Sequence, residues 1–141
     1  MKAKDSQKYI IPALATLALV FLLKKSPAKQ AQQQISNEID RSKLSYPLSQ
    51  YDAWANKLEQ AFFDWGTNET SIYEVFRNLK NNNDFLQLKK AFGIRQYTGG
   101  ILPGILSGKL NLDGFIEQEL NSSEQKYING ILASKSITYR V

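Results

Sequence analysis

The sequence predicts an all-α protein, a small bundle of about five short helices preceded by a single N-terminal transmembrane helix. Three observations predict it. Apolar residues recur at three- and four-residue spacing through most of the chain beyond Ser49. A 15-residue run, Tyr9–Leu23 (YIIPALATLALVFLL), carries no charge. Strand-like alternation is confined to the last five residues, Ile137–Val141.

The chain is organised around WANKLEQAFFDWGTNETSIYEVF, Trp54–Phe76. Ser49, with Asp52 three residues on, reads as a helix N-cap and its acidic partner. Trp54, Leu58, Ala61, Phe62 and Trp65 then fall on one helical face. Gly66 tolerates positive φ at a turn, Thr67 is placed to cap a second helix, and Glu69 complements the positive end of that helix. Ile72, Tyr73, Phe76 and Leu79 form the second stripe.

AFFDWGTNETSIYEVF resembles the opening of an annexin repeat, in which a helix ends in a Gly-x-Gly-Thr loop followed by acidic residues and a second helix. Leu88, Ala91 and Phe92 in LQLKKAFG are similar to the third helix of that repeat, and ILSGKL (Ile105–Leu110) to its Ser/Thr-Gly-Lys ending. The likeness runs from about Gln50 to Leu110 as a single copy and implies an annexin-like helical domain. Annexins hold calcium with carbonyls of that loop and a carboxylate further along the chain, which suits a cation that takes about six to eight oxygens. Here Asp64 replaces the first glycine, Ile105 stands at the distal acid, and no carboxylate lies nearer than Asp113. Calcium is therefore not carried over, and Trp65, Gly66, Thr67 and Glu69 are assigned to a structural turn. Calcium-dependent lipid binding stays an alternative that the resemblance implies.

The apolar run predicts an anchor over residues 9–25. Fifteen helical residues reach roughly 22 Å against a hydrocarbon layer of ~30 Å, and Lys8, Lys24 and Lys25 extend the span by snorkelling. Pro12 falls in the first turn, where its missing N–H costs little. Two lysines directly after the run argue against cleavage as a signal peptide, whose processing region is small and uncharged. The lysine count flanking the run is balanced, and the brevity of the 1–8 tail favours a cytoplasmic N-terminus.

Residues 26–45 are rich in Gln, Ser and Lys and read as a polar spacer, with Ile35, Ile39 and Leu44 too sparse for a core stripe. The helical domain is assigned to 46–141. Within it, Asn81–Asp84 make a polar break, with Asp84 as a cap for a helix carrying Phe85, Leu88, Ala91 and Phe92 and ending at Gly93. Ile94–Gly108 holds four glycines and a proline and reads as loop. Asn111 caps a segment with Leu112, Phe115, Ile116 and Leu120 inward. Ser122 or Ser123 caps another, with Tyr127, Ile128, Ile131 and Leu132 inward and Gly130 placed for close helix contact. The last five residues are expected to lie extended across the bundle.

The 141 residues contain no cysteine and no histidine, which excludes disulfides, thiolate metal sites and the commonest general base. No phosphate-cradling glycine motif is present. The sequence therefore names no catalytic, cofactor-binding or metal-ligating residue and implies no cofactor. Residues 1–43 hold eight Lys/Arg against three acids, which accounts for the whole net charge of +5, while the remaining 98 residues are balanced at ten of each sign. That distribution argues against nucleic acid as a partner.

The candidate contact surface is Lys89, Lys90, Arg95 and Tyr97, facing a protein partner or lipid headgroups, with the bilayer itself engaged through Tyr9–Leu23. The expected function is a membrane-anchored, single-pass, non-catalytic structural or interaction module. A minor component of a membrane-containing virus particle or of a bacterial envelope assembly fits its small size. The alternative from another class is an envelope-acting, peptidoglycan-cleaving hydrolase using Asp64 or Glu69 beside the turn.

Overall fold

The computed structural model describes residues 27–63, 66–98 and 108–141. They form α1 (Pro27–Glu38), a 3-10 turn (Arg41–Lys43), α2 (Leu48–Phe63), α3 (Glu69–Asn78), α4 (Asn82–Phe92), β1 (Arg95–Tyr97), β2 (Gly108–Leu110), α5 (Leu112–Glu119) and α6 (Ser122–Ser134). The all-α expectation holds, with five helices in the assigned domain and α1 ahead of them. The strands make one small antiparallel ribbon in which Arg95 pairs with Leu110 and Tyr97 with Gly108. Among the described residues no helix is long and apolar enough to cross a membrane, and the Tyr9–Leu23 run lies outside them.

The helical stripes set the packing. Trp54, Leu58, Ala61 and Phe62 of α2 are buried, as are Ile72, Val75 and Phe76 of α3 and the adjoining Leu79. Tyr51 of α2 meets Asp84 near the start of α4, and the Phe62 ring lies 6.4 Å from Phe92 near its end, so α2 and α4 run in the same direction. α3 returns between these levels: Asn68, just ahead of it, bonds back to the Ala61 carbonyl, and Tyr46 donates to the Asn78 carbonyl at its far end. Phe115 of α5, fully buried, closes the core against Phe62, Phe92 and Tyr97 at ring separations of 5.1–5.5 Å. Removing such a ring from water stabilises the fold by roughly 1.5–3 kcal/mol.

Residues 26–45, read as a spacer, are largely part of the fold. α1 packs on α4, the Asp40 amide donates to Asn83, and Asn81 donates to the Lys43 carbonyl. The reason is that a helix needs few apolar residues when a neighbour supplies the rest: Ala31, Gln32 and Ile35 are half-buried, and Leu44 packs against the core. With its last residues near the start of α4, and Lys29 near its beginning sharing a cleft with Ile94 beyond the end of α4, α1 is antiparallel to α4.

Several local assignments shift because a competing asparagine stands one or more positions away. Asn68, not Thr67, caps α3; Asn81, not Asp84, caps α4; Asn121, not a serine, caps α6 in a reciprocal capping box with Glu124. Asn111 caps α5 as its sequence position predicts. α2 opens at Leu48, so Ser49 lies inside it. The segment read as loop from Ile94 begins and ends in the ribbon strands. Tyr127 is 48% exposed, at the margin of the core rather than inside it, with its ring 4.6 Å from that of Tyr73 on α3; no neighbour lies within 4 Å of where a Gly130 Cβ would stand, so Gly130 does not serve the close helix contact assigned to it. The C-terminal residues cross the bundle without regular structure: Ile137 is buried, Tyr139 stacks on Phe85 at 5.5 Å, and Val141 exchanges two hydrogen bonds with Asn129.

Candidate functional site

The turn after α2 requires its glycine. Gly66 has φ +82°, in the left-handed region that L side chains rarely occupy. Thr67 donates its hydroxyl to Glu119 at 2.9 Å, across 52 residues of sequence. Tyr97 donates to the other oxygen of the same carboxylate. Burial, and then this bond, raise the Tyr97 phenol to about 12. Glu119 is thus the acid that closes on the turn, not Asp113, which pairs with Lys89. Neither spacing nor periodicity marks it, because α5 meets the turn only in the folded chain. Glu69 sits half-buried in the first turn of α3. Asp64, Trp65 and Ile105 lie outside the described residues.

The four residues of the candidate contact surface differ in their surroundings. Lys89 pairs with Asp113 at 2.6 Å and holds its ammonium over the Phe85 ring. Arg95 pairs with Glu59, donates to Asn56 at 3.0 Å and to the Phe92 carbonyl at 2.8 Å, and lies over the Phe92 ring. Tyr97 is buried. Lys90, half-buried, makes no ion pair among the described residues. The first three tie α4 and the ribbon to α2 and α5, with Lys90 on the same helix end.

A second polar centre escaped the pattern of the sequence. Asp84 is fully buried, and its carboxylate accepts from the Tyr51 hydroxyl at 2.5 Å and from the amides of Ser45 and Lys80 at 2.9 Å each. Burial alone raises its pKa, but the donors from Tyr51, Ser45 and Lys80 outweigh it and hold the carboxyl below the ordinary range. Burial, and then the same contact, push the Tyr51 phenol up. Asp84 pins the entry to α2, the α3–α4 junction and α2 itself to one point.

Among the open depressions on the surface of the described residues, two stand out. One, of about 540 Å³, runs along α6 between Ser123 and Ser134 beside Tyr127, whose hydroxyl accepts from Arg77 at 2.6 Å. The other, of about 420 Å³, is lined by Lys29, Gln32, Gln33 and Ser36 of α1 and by Ile94. Among the described residues no three acids come together as a metal-binding group. No family model, curated protein or solved structure matches this chain.

Proposed function

We propose that the chain is a membrane-anchored, non-catalytic structural or interaction module, a single annexin-like repeat carried on one transmembrane helix with its N-terminus on the cytoplasmic side. The observation that carries this reading is the charge-free Tyr9–Leu23 run, flanked by Lys8 and by Lys24 and Lys25, only three residues ahead of α1. Supporting it, Asp84, Glu119, Lys89 and Arg95 all direct their polar groups at internal partners, as in a scaffold.

Carbonate washing of membranes carrying the full chain tests the anchor. The protein is expected in the membrane pellet, and recovery in the soluble fraction would overturn the proposal. The narrower assignment, to a membrane-containing virus particle or a bacterial envelope assembly, rests on small size and anchor architecture. It predicts peptides of this chain in mass spectra of the purified particle or envelope fraction.

A further inference from the structure

We infer that the outer face of α6 docks against the same face of a second copy of this chain, with the two helices antiparallel. The inference concerns the folded domain and does not rest on the anchor; it names a partner for the interaction module proposed above.

Spacing and side-chain size supply the first argument. Ser123, Tyr127, Gly130 and Ser134 follow one another at intervals of four, three and four, which keeps them on one stripe of α6, and all four are exposed. With Lys126 and Ile131 they line the depression of about 540 Å³, while Ile128 and Leu132 hold the opposite face in the core. Tyr127 is the projection on this stripe, and Gly130, with nothing within 4 Å of its missing Cβ, is the hollow. An antiparallel pair that seats Tyr127 on the partner's Gly130 also seats the partner's Tyr127 on Gly130, and in the same register each Ser123 meets a Ser134. A parallel pair would set tyrosine on tyrosine and leave two glycines facing across a gap. A two-fold interface requires the first kind of matching, in which residue i meets j and j meets i.

Charge supplies the second. In an antiparallel pair the like edges of the two helices adjoin. Glu124 and, three turns on, Lys135 lie on the edge of α6 toward α3. In this register Glu124 stands two residues, about 3 Å along the axis, from the level of the partner's Lys135, and the pairing occurs twice. Lys135 makes no ion pair within its own copy among the described residues, and Glu124 engages the Asn121 amide through Oε2. Arg77 on the same edge is held by the Tyr127 hydroxyl and lies over the Tyr73 and Tyr127 rings at 6.0 and 5.7 Å, with Glu69 and Glu124 acting on the same Tyr73. The two acids thus balance Arg77 and Lys135 along this edge. Lys126 flanks the other edge, its stem along the groove and its ammonium in water.

The 13 residues of α6 span about 20 Å. Such a contact is smaller than the ~800 Å² per partner of a stable interface, so the dimer exchanges and is best captured covalently.

The cysteine-free chain makes that capture specific. Full-length protein in detergent micelles, one preparation carrying Ser123→Cys and another carrying Ser134→Cys with a longer tag, is mixed and mildly oxidised. The mixed disulfide is expected to form at least about tenfold faster than either like disulfide, because two copies of position 123 stay ~16 Å apart along the axis and a disulfide spans at most about 7 Å between Cα atoms. Gly130→Leu places its side chain in open space, so the unfolding midpoint should be retained while the mixed disulfide falls at least about fivefold. Lys135→Glu should slow it by about threefold. Like disulfides as abundant as mixed ones, as for copies gathered only by the Tyr9–Leu23 run or paired in parallel, would overturn the inference. So would a mixed yield no higher than that of Ser134→Cys with Ala53→Cys, on the exposed side of α2. A folded Gly130→Leu variant that crosslinks at the original rate would overturn the seating of Tyr127, and an unslowed Lys135→Glu variant the charge pairing.

Discussion

The hydroxyl of Tyr51 on α2 donates to the buried carboxylate of Asp84 on α4 at 2.5 Å, and two backbone amides from other segments converge on the same group. A single side chain thus satisfies a buried hydroxyl and two part-buried amides. Removing Tyr51's hydroxyl by Tyr51→Phe takes away one donor and is expected to cost about 1–2 kcal/mol. Asp84→Ala, which orphans the hydroxyl and leaves both amides without their acceptor, is expected to cost about 3 kcal/mol or more. Denaturant unfolding of the full chain in detergent micelles, followed by tryptophan fluorescence, measures both. Equal costs for the two variants would show that the amides find other acceptors.

The same carboxylate makes stability depend on acid. Its folded pKa lies below the ordinary value of 3.8, so its contribution is fully present above the carboxylate range and is lost as pH falls through the folded value. Wild-type stability should therefore drop below about pH 4. Asp84→Asn should lower stability at neutral pH and flatten that acid limb; an unchanged limb would place the titration elsewhere.

The alkaline side has the opposite sign. Tyr97 is raised from 10.0 to about 12, so its contribution is complete below its unfolded pKa and is lost as pH rises toward the folded one. Tyr97→Phe should reduce the loss of stability between about pH 10 and 12, with slope remaining from Tyr51, Tyr73 and Tyr139, which are raised as well. Unfolding midpoints across that range give the comparison.

Gly66 has open space around its missing Cβ, so substitution there tests backbone conformation rather than crowding. Gly66→Ala is expected to destabilise by about 1–2 kcal/mol, and Gly66→Asn by less because asparagine tolerates positive φ. A neutral alanine variant would mean that the turn relaxes to negative φ.

Asn121 accepts from the amides of Ser123 and Glu124, while the Glu124 carboxylate accepts from the Asn121 amide. Asn121→Ala should cost about 1 kcal/mol, with amide exchange accelerated in the first turn of α6. Exchange rates unaltered there would indicate that packing of Ile128 and Leu132 holds the helix start without its cap.

The helices were legible because amphipathic spacing is a local property: Leu58 and Phe62, Ile72 and Phe76, Leu88 and Phe92, Phe115 and Ile116 are all inside, as their periodicity predicts. Gly66 and Gly93 were legible for the same kind of reason, since a positive φ selects its residue without reference to the rest of the fold. Cap positions were not, because asparagines and serines adjoin one another and each can accept from a free amide.

What the chain alone determined, then, is the set of apolar faces, the glycine turns and the concentration of positive charge ahead of residue 44. Only the tertiary structure decided that α1 joins the bundle, that Glu119 closes on the turn, and that Asp84 is an interior acceptor rather than a cap. Each of these depends on partners 33 to 52 residues away in sequence or on docking of whole helices, and side-chain type carries no record of which distant donor will arrive. Periodicity reports which face is buried, while the identity of the neighbour across that face emerges only when the helices pack.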